Sequence, residues 1–281
     1  MTPPLRPTLC WGTAEGTPLP ELVDLAAATG YPAITVTPAM YFDALDAGFS
    51  DADLRARLDD RGIEVAVIDP LLAALPGCPS PDSVAPRFRP TFEHDTEDCI
   101  RAALALRAPL LNVAHYMGAP TPLDALAEAV AGVADRAASD GLALSVEFMP
   151  EGSIKDLETT VRVVERAGAA NVGVLLDTWH FFRTGGRPED VRALAPGTIT
   201  ALQVSDARAE LFGVWENARV RDRMLPGDGD IPLVEILQAV FDAHPVRDVG
   251  VEVFDTTRSA PGLAAGSRTA LERVLTRLRA D

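Results

Sequence analysis

Eight short apolar runs recur along the chain, and a segment with helical spacing follows each one. The runs are residues 8–13, 33–37, 63–68, 110–114, 142–146, 172–176, 199–204 and 249–254. They are rich in Val, Ile, Leu and Ala and lack polar alternation, the pattern of strands covered on both faces. The helical segments are 20–29, 50–62, 95–107, 122–139, 154–167, 188–194, 232–243 and 262–279. Ser50 stands where an N-cap belongs, and Gly30, Gly62, Gly141 and Gly168 follow helix ends. Regular βα alternation over 281 residues predicts an α/β chain closed into a (β/α)8 barrel. An open doubly wound sheet has less support, because no GxGxxG follows the first run. Pro and Gly are spread along the whole chain without a linker, so one domain covering 1–281 is expected.

Three connections break the rhythm. The loop after the second strand carries Met40, Tyr41, Phe42 and Asp43. Residues 69–90 are rich in proline and too broken for regular structure. The connection 205–231 is long for a compact domain, as lids and binding loops often are.

Charge narrows the function. The formal net charge is −16, which disfavours phosphate backbones and anionic lipid, so neither nucleic acid nor membrane is expected as a partner. Arg219, Arg221 and Arg223 form one local basic run. Cys10, Cys78 and Cys99 are far apart and form no CxxC pair, against a disulfide framework or zinc ribbon. Residues 1–7 have no signal-peptide core and no long apolar run occurs, so a cytoplasmic protein is expected; a homodimer is left open.

In such a barrel the carboxyl ends of the strands converge on one mouth, and polar residues there read as site residues. His115 follows the fourth strand, Glu147 the fifth, and Asp177 with His180 the sixth; Gln203 lies on the seventh and Glu252 on the eighth. Any one of these alone would be explained as a strand-end group bonded to a neighbouring loop. Three carboxylates late in apolar strands are harder to explain, since they raise one another's pKa unless a cation lies between them.

The runs SVEFMP around Glu147, LLDTWH from Leu175, QVSDA from Gln203, LPGDGDIP from Leu225 and VGVEVF around Glu252 resemble the sugar phosphate isomerase/epimerase family of the xylose isomerase-like TIM-barrel superfamily. Its relatives include inosose isomerases and dehydratases, ketose 3-epimerases and 3-dehydroshikimate dehydratases, with endonuclease IV more distant. The resemblance implies Glu147, Asp177 and Glu252 as metal ligands, the two glutamates as an acid/base pair, and His180 on a substrate oxygen. The fourth ligand of the family is most often a histidine in HxxD; here Gln203 stands there, in Gln203-Val204-Ser205-Asp206, as in the dehydroshikimate dehydratase branch. An all-oxygen set favours Mn2+ or Mg2+ over Zn2+.

The chemistry implied is proton abstraction beside a carbonyl, with one divalent ion stabilising the enolate. Returning the proton gives an isomer or epimer of a sugar, cyclitol or related hydroxy-ketone; expelling a β-hydroxyl gives a lyase. A nuclease reading fits poorly with four histidines and the acidic charge. His115, Arg208 and Arg223 are candidate substrate contacts. Gly227 and Gly229 offer backbone N–H groups to a phosphate, but Asp228 and Asp230 would repel one, so a non-phosphorylated polyhydroxylated carbonyl compound is expected as the small-molecule partner.

Overall fold

A computed structural model describes residues 5–216 and 219–278. Its strands are β1 (Arg6–Leu9), β2 (Ala33–Val36), β3 (Glu64–Leu71), β4 (Leu110–Ala114), β5 (Ala143–Glu147), β6 (Val172–Asp177), β7 (Ile199–Val204) and β8 (Asp248–Val251). Each pairs in parallel with the next and β8 pairs with β1, closing an eight-stranded barrel. The expected (β/α)8 architecture is therefore present.

The helices are α1 (Leu19–Ala28), α2 (Pro38–Asp46), α3 (Asp51–Arg61), α4 (Arg89–Phe92), α5 (Thr96–Leu106), α6 (Leu123–Ala138), α7 (Leu157–Ala167), α8 (Thr178–Arg183), α9 (Pro188–Arg192), α10 (Leu233–Ala243) and α11 (Ala260–Leu278). Their apolar faces cover the outside of the barrel, so strand residues pointing outward are as buried as those pointing in. In β4, for example, Leu111, Asn112, Val113 and Ala114 are all fully buried. Ser50 caps α3 through a reciprocal box with Asp53, and Gly62 ends that helix in a left-handed conformation. No helix among the described residues is long and apolar enough to cross a membrane.

Several boundaries differ from the sequence reading, each for a local reason. The first strand covers Arg6–Leu9, short of the expected 8–13; the chain then turns through Trp11–Ala14. Thr13 fixes that turn, donating its hydroxyl to the Val251 carbonyl and accepting the Val253 N–H. Residues 40–43 belong to α2 and not to a loop, because Thr37 caps the Met40 N–H and Pro38 sits in the first turn. The stretch 69–90 holds two single 3-10 turns and the start of α4, and β3 runs on through Asp69 to Leu71. α11 begins at Ala260; its expected end at Arg279 lies outside the described residues, as do residues 1–4 of the expected single domain.

Two features position the barrel mouth. On the opposite rim, Arg6 bonds both Asp248 and Glu64, tying the β1–β8 seam to β3. At the mouth, Asp206 anchors the connection 205–231: its backbone forms a two-bond bridge with Met224, and its carboxylate accepts N–H bonds from Ala207 (2.8 Å), Gly227 (2.9 Å) and Ile231 (2.9 Å). A Cβ on Gly229 would lie 2.5 Å from both the Asp206 carboxylate and the Ala207 carbonyl oxygen. The LPGDGDIP run thus wraps one buried carboxylate, and the bridge at Met224 sends the preceding Arg223 side chain into the barrel.

Candidate active site

Side chains along a strand alternate between faces, so Ser145 and Glu147 share the interior face of β5, as do Leu175 and Asp177 on β6. Register places Asp177 beside Gln203, and Gln203 beside Gly250, two residues before Glu252. The interior of the mouth therefore collects Glu147, Asp177, Gln203 and Glu252, all buried. Glu147, Asp177 and His180 each offer a ligand atom within 4.8 Å of one another.

Asp177 does double duty. One oxygen caps α8 by accepting the Trp179 N–H (2.7 Å) and the His180 N–H (3.0 Å), which starts a helix directly at the strand end and places His180 in its first turn. The other oxygen, Oδ2, accepts Arg223 Nη1 at 2.6 Å. Arg223 Nη2 lies 3.4 Å from Glu252 Oε2, and the guanidinium sits 4.7 Å from the Trp179 ring centroid and 5.6 Å from that of Phe254. The expected substrate clamp is thus buried among the carboxylates, held by charge and by two aromatic faces. Arg208, its companion in the sequence reading, is exposed and makes no side-chain hydrogen bond among the described residues, so it does not join the site.

His115 also departs from its expected role. It is fully buried, its Nδ1 accepts the Ser153 N–H (3.0 Å), and its Nε2 lies 3.2 Å from the Pro76 carbonyl, to which it donates. Both nitrogens are spent on clamping two loops, leaving nothing for a substrate. His94 stacks on Phe42, and His244 accepts backbone N–H groups at Gly197 and Ile199. His180 is therefore the one histidine of four at the cluster, unlike a multi-histidine nuclease centre.

Two interior residues were passed over in the sequence. Asp69 on β3 accepts Asn112 Nδ2 (2.7 Å) on one oxygen and Gln203 Nε2 (2.8 Å) on the other; Asn112 Nδ2 also donates to Glu147 Oε2 (2.7 Å). The signal was present: a lone Asn inside LLNVA, and an Asp directly after the IEVAVI run, at the end where site residues gather.

The electrostatics are out of balance. Asp69, Glu147, Asp177 and Glu252 are at most 5% exposed, and one guanidinium faces them. Burial, reinforced by Asp69, Asp177 and Glu252, holds the Glu147 carboxyl far above its usual range. Burial likewise lifts Glu252 to about 8 against the pull of Arg223, and Asp69 to about 6. Burial also acts on Asp177, but Arg223 and His180 outweigh it and keep the group below its usual value. Burial pushes His180 down to about 3. His180 Nε2 lies 3.9 Å from Glu147 Oε1, and with a neutral imidazole this contact is not an ion pair.

This donor set fits a divalent cation. Buried carboxylates in excess of their counter-charges call for one. Gln203 supplies the sharper test: its Oε1 is buried and has no hydrogen-bond partner among the described residues, whereas its Nε2 is bound to Asp69. A buried amide oxygen without a donor is costly, and a cation removes that cost. The LPGDGDIP run does not offer a phosphate site of the kind its glycines suggest, because the Gly227 N–H is committed to Asp206. A cavity of about 630 Å3 opens beside the mouth, lined among others by Trp11, Met40, Pro70 and Arg87; none of the four carboxylates lines it.

Residues 23–276 match the model of a family described as xylose isomerase-like TIM barrel. The chain is 28% identical over 248 residues to a 3-dehydroshikimate dehydratase of Pseudomonas aeruginosa PAO1, covering 86% of this chain and 37% of that protein. It is 27% identical over 130 residues to an inosose isomerase of Bacillus velezensis FZB42, covering 46% and 45% respectively. The chain thus spans less than half the length of the curated relatives it matches. Among solved structures, one described as the IOLI protein with a binding zinc atom superposes with a TM-score of 0.82 at 17% identity, over 98% of this chain and 99% of that one, a likeness of fold.

Proposed function

This chain belongs to the xylose isomerase-like TIM-barrel family, and from that premise we propose that it is a divalent-metal-dependent isomerase or epimerase of a polyhydroxylated carbonyl compound: a sugar, a cyclitol or a related hydroxy-ketone. The observation that carries the proposal is the convergence of Glu147, Asp177 and His180 within 4.8 Å, beside a glutamine whose carbonyl oxygen has no partner among the described residues. Glu147, Asp177, Gln203 and Glu252 are the proposed ligands, and their oxygens favour Mn2+ or Mg2+. Such an ion, when bound, withdraws charge from the substrate carbonyl and acidifies the neighbouring C–H.

The side chains supply the rest. Asn112 Nδ2 donates to Glu147 Oε2 and holds the carboxylate that accepts a proton from carbon. Glu252, 3.4 Å from Arg223 Nη2, is the partner that gives up its own proton while Glu147 keeps the one it took, delivering it to the opposite face for an epimer or to the next carbon for an isomer. His180 enters as a neutral imidazole and contacts substrate oxygen without adding charge. Trp179 and Phe254 close over Arg223 and limit water at the reacting carbon.

A second reading, a lyase that expels a β-hydroxyl after the same proton abstraction, is favoured by the match to the Pseudomonas dehydratase over 86% of this chain. The proposed setting is the cytoplasm, with a small-molecule substrate and neither nucleic acid nor membrane as a partner, in keeping with a net charge of −16. Mn2+-loaded protein incubated in D2O with ketoses, inososes and 3-dehydroshikimate tests both readings. Deuterium entering carbon beside the carbonyl supports the isomerase or epimerase. A new aromatic ultraviolet absorbance from dehydroshikimate supports the lyase, and neither change with any substrate would overturn the proposal.

A further inference from the structure

We propose that Asp69 is the positioning residue that makes Gln203 a metal ligand, by fixing which end of its amide faces the carboxylate cluster. This rests on the metal-site reading above and adds a residue to it. A side-chain amide presents an acceptor or a donor depending on a half-turn about its last torsion, so a glutamine serves a cation only if something selects the oxygen. Asp69 makes that selection. Its Oδ2 accepts Gln203 Nε2 at 2.8 Å, and a half-turn would bring the amide oxygen against a carboxylate oxygen, two acceptors face to face. The buried Oε1, without a partner among the described residues, is left on the other side of the amide.

Asp69 is itself held in register. Its Oδ1 accepts Asn112 Nδ2 at 2.7 Å, and that amide is fixed in turn: Asn112 Oδ1 accepts the Ser145 hydroxyl at 3.2 Å, and Asn112 Nδ2 also serves Glu147 Oε2. The network links β3, β4, β5 and β7 across the barrel interior. It gives the glutamine what a neighbouring carboxylate gives a ligating histidine, a fixed orientation and a more electron-rich donor atom.

Asp69→Asn tests this with almost no change of shape. The new residue keeps an oxygen for Asn112 and turns an NH2 toward Gln203 Nε2, so the glutamine amide inverts and points its own NH2 at the cluster. The substitution also removes a negative charge, and a second background separates the two effects. Metal-free wild type, Asp69→Asn, Gln203→Ala and the double variant are titrated calorimetrically with Mn2+, with folding checked by circular dichroism. Asp69→Asn should weaken Mn2+ binding about 10–100-fold in the wild-type background. In the Gln203→Ala background it should change binding by no more than about twofold, because Asp69 acts through the amide. A full-size loss in both backgrounds, or no loss in either, overturns the positioning role while leaving the metal site standing. Failure of wild type to bind any of Mn2+, Mg2+ and Zn2+ overturns the metal site and this inference with it. If Asp69→Asn does not fold, Asp69→Ala carries the same two-background comparison.

Discussion

Arg223 Nη1 donates to Asp177 Oδ2 at 2.6 Å, which places the guanidinium of a surface connection on a carboxylate at the centre of the barrel mouth. The contact depends on the bridge between Asp206 and Met224, which turns the neighbouring side chain inward, and on the Trp179 and Phe254 rings that receive it. Arg223 is the one guanidinium paired with both Asp177 and Glu252 among the described residues.

Removing that guanidinium should therefore have opposite effects with and without metal. In metal-free protein, Arg223→Met leaves buried carboxylates without their partner, a loss of about 3–5 kcal/mol. With the competing positive charge gone, a divalent ion should stabilise the variant more than it stabilises wild type. Thermal melts with and without Mn2+ read both effects: a lower metal-free Tm and a larger metal-induced rise. An unchanged metal-free Tm would show that the pair contributes little to the fold.

Asp206 governs the connection above the site. Asp206→Ala removes the acceptor of the Ala207, Gly227 and Ile231 N–H groups, at a cost of about 2 kcal/mol or more. The loss should fall mainly on the connection 205–231. Limited proteolysis should cleave near the exposed Val214 and Trp215 faster than in wild type. Equal cleavage rates would mean that other contacts, such as those of Arg183 with the Val214 and Trp215 carbonyls, hold the loop unaided.

His115 provides a contrast, because both of its nitrogens are bound to loop backbone. His115→Ala should lower stability by about 1–3 kcal/mol and leave Mn2+ affinity unchanged. Gly152→Ala should be damaging in the same place, since a Cβ there would lie 1.9 Å from the His115 carbonyl oxygen. Denaturant unfolding of both variants beside Mn2+ titrations checks the assignment; a marked loss of metal affinity in His115→Ala would bring this residue back into the site.

The barrel was legible in the sequence because strands buried on both faces leave continuous apolar runs, and strand ends then identify Glu147, Asp177 and Glu252. Asp69 was marked only by its place directly after the IEVAVI run; that β3 runs past the apolar segment and carries it inside a strand shows only in the structure. Arg223 and Arg208 looked alike in one connection, and only the Asp206–Met224 bridge, a contact across the loop, distinguishes the buried one from the exposed one. His115 misled because position at a strand end does not reveal that loop carbonyls and N–H groups already satisfy the ring.

Glu147→Gln and Glu252→Gln should each reduce turnover by at least about 100-fold, the scale of losing a general acid or base, while the barrel stays folded. Circular dichroism and assay of the same samples check this. Full activity in both variants would move the chemistry elsewhere.

Whether this barrel mouth is a divalent-metal site is read directly by a calorimetric titration of metal-free wild type and Asp177→Asn with Mn2+. Wild type should take up about one Mn2+ per chain, and the variant should bind far more weakly. Wild type that takes up no Mn2+, Mg2+ or Zn2+, or a variant that binds as tightly as wild type, would contradict the metal site.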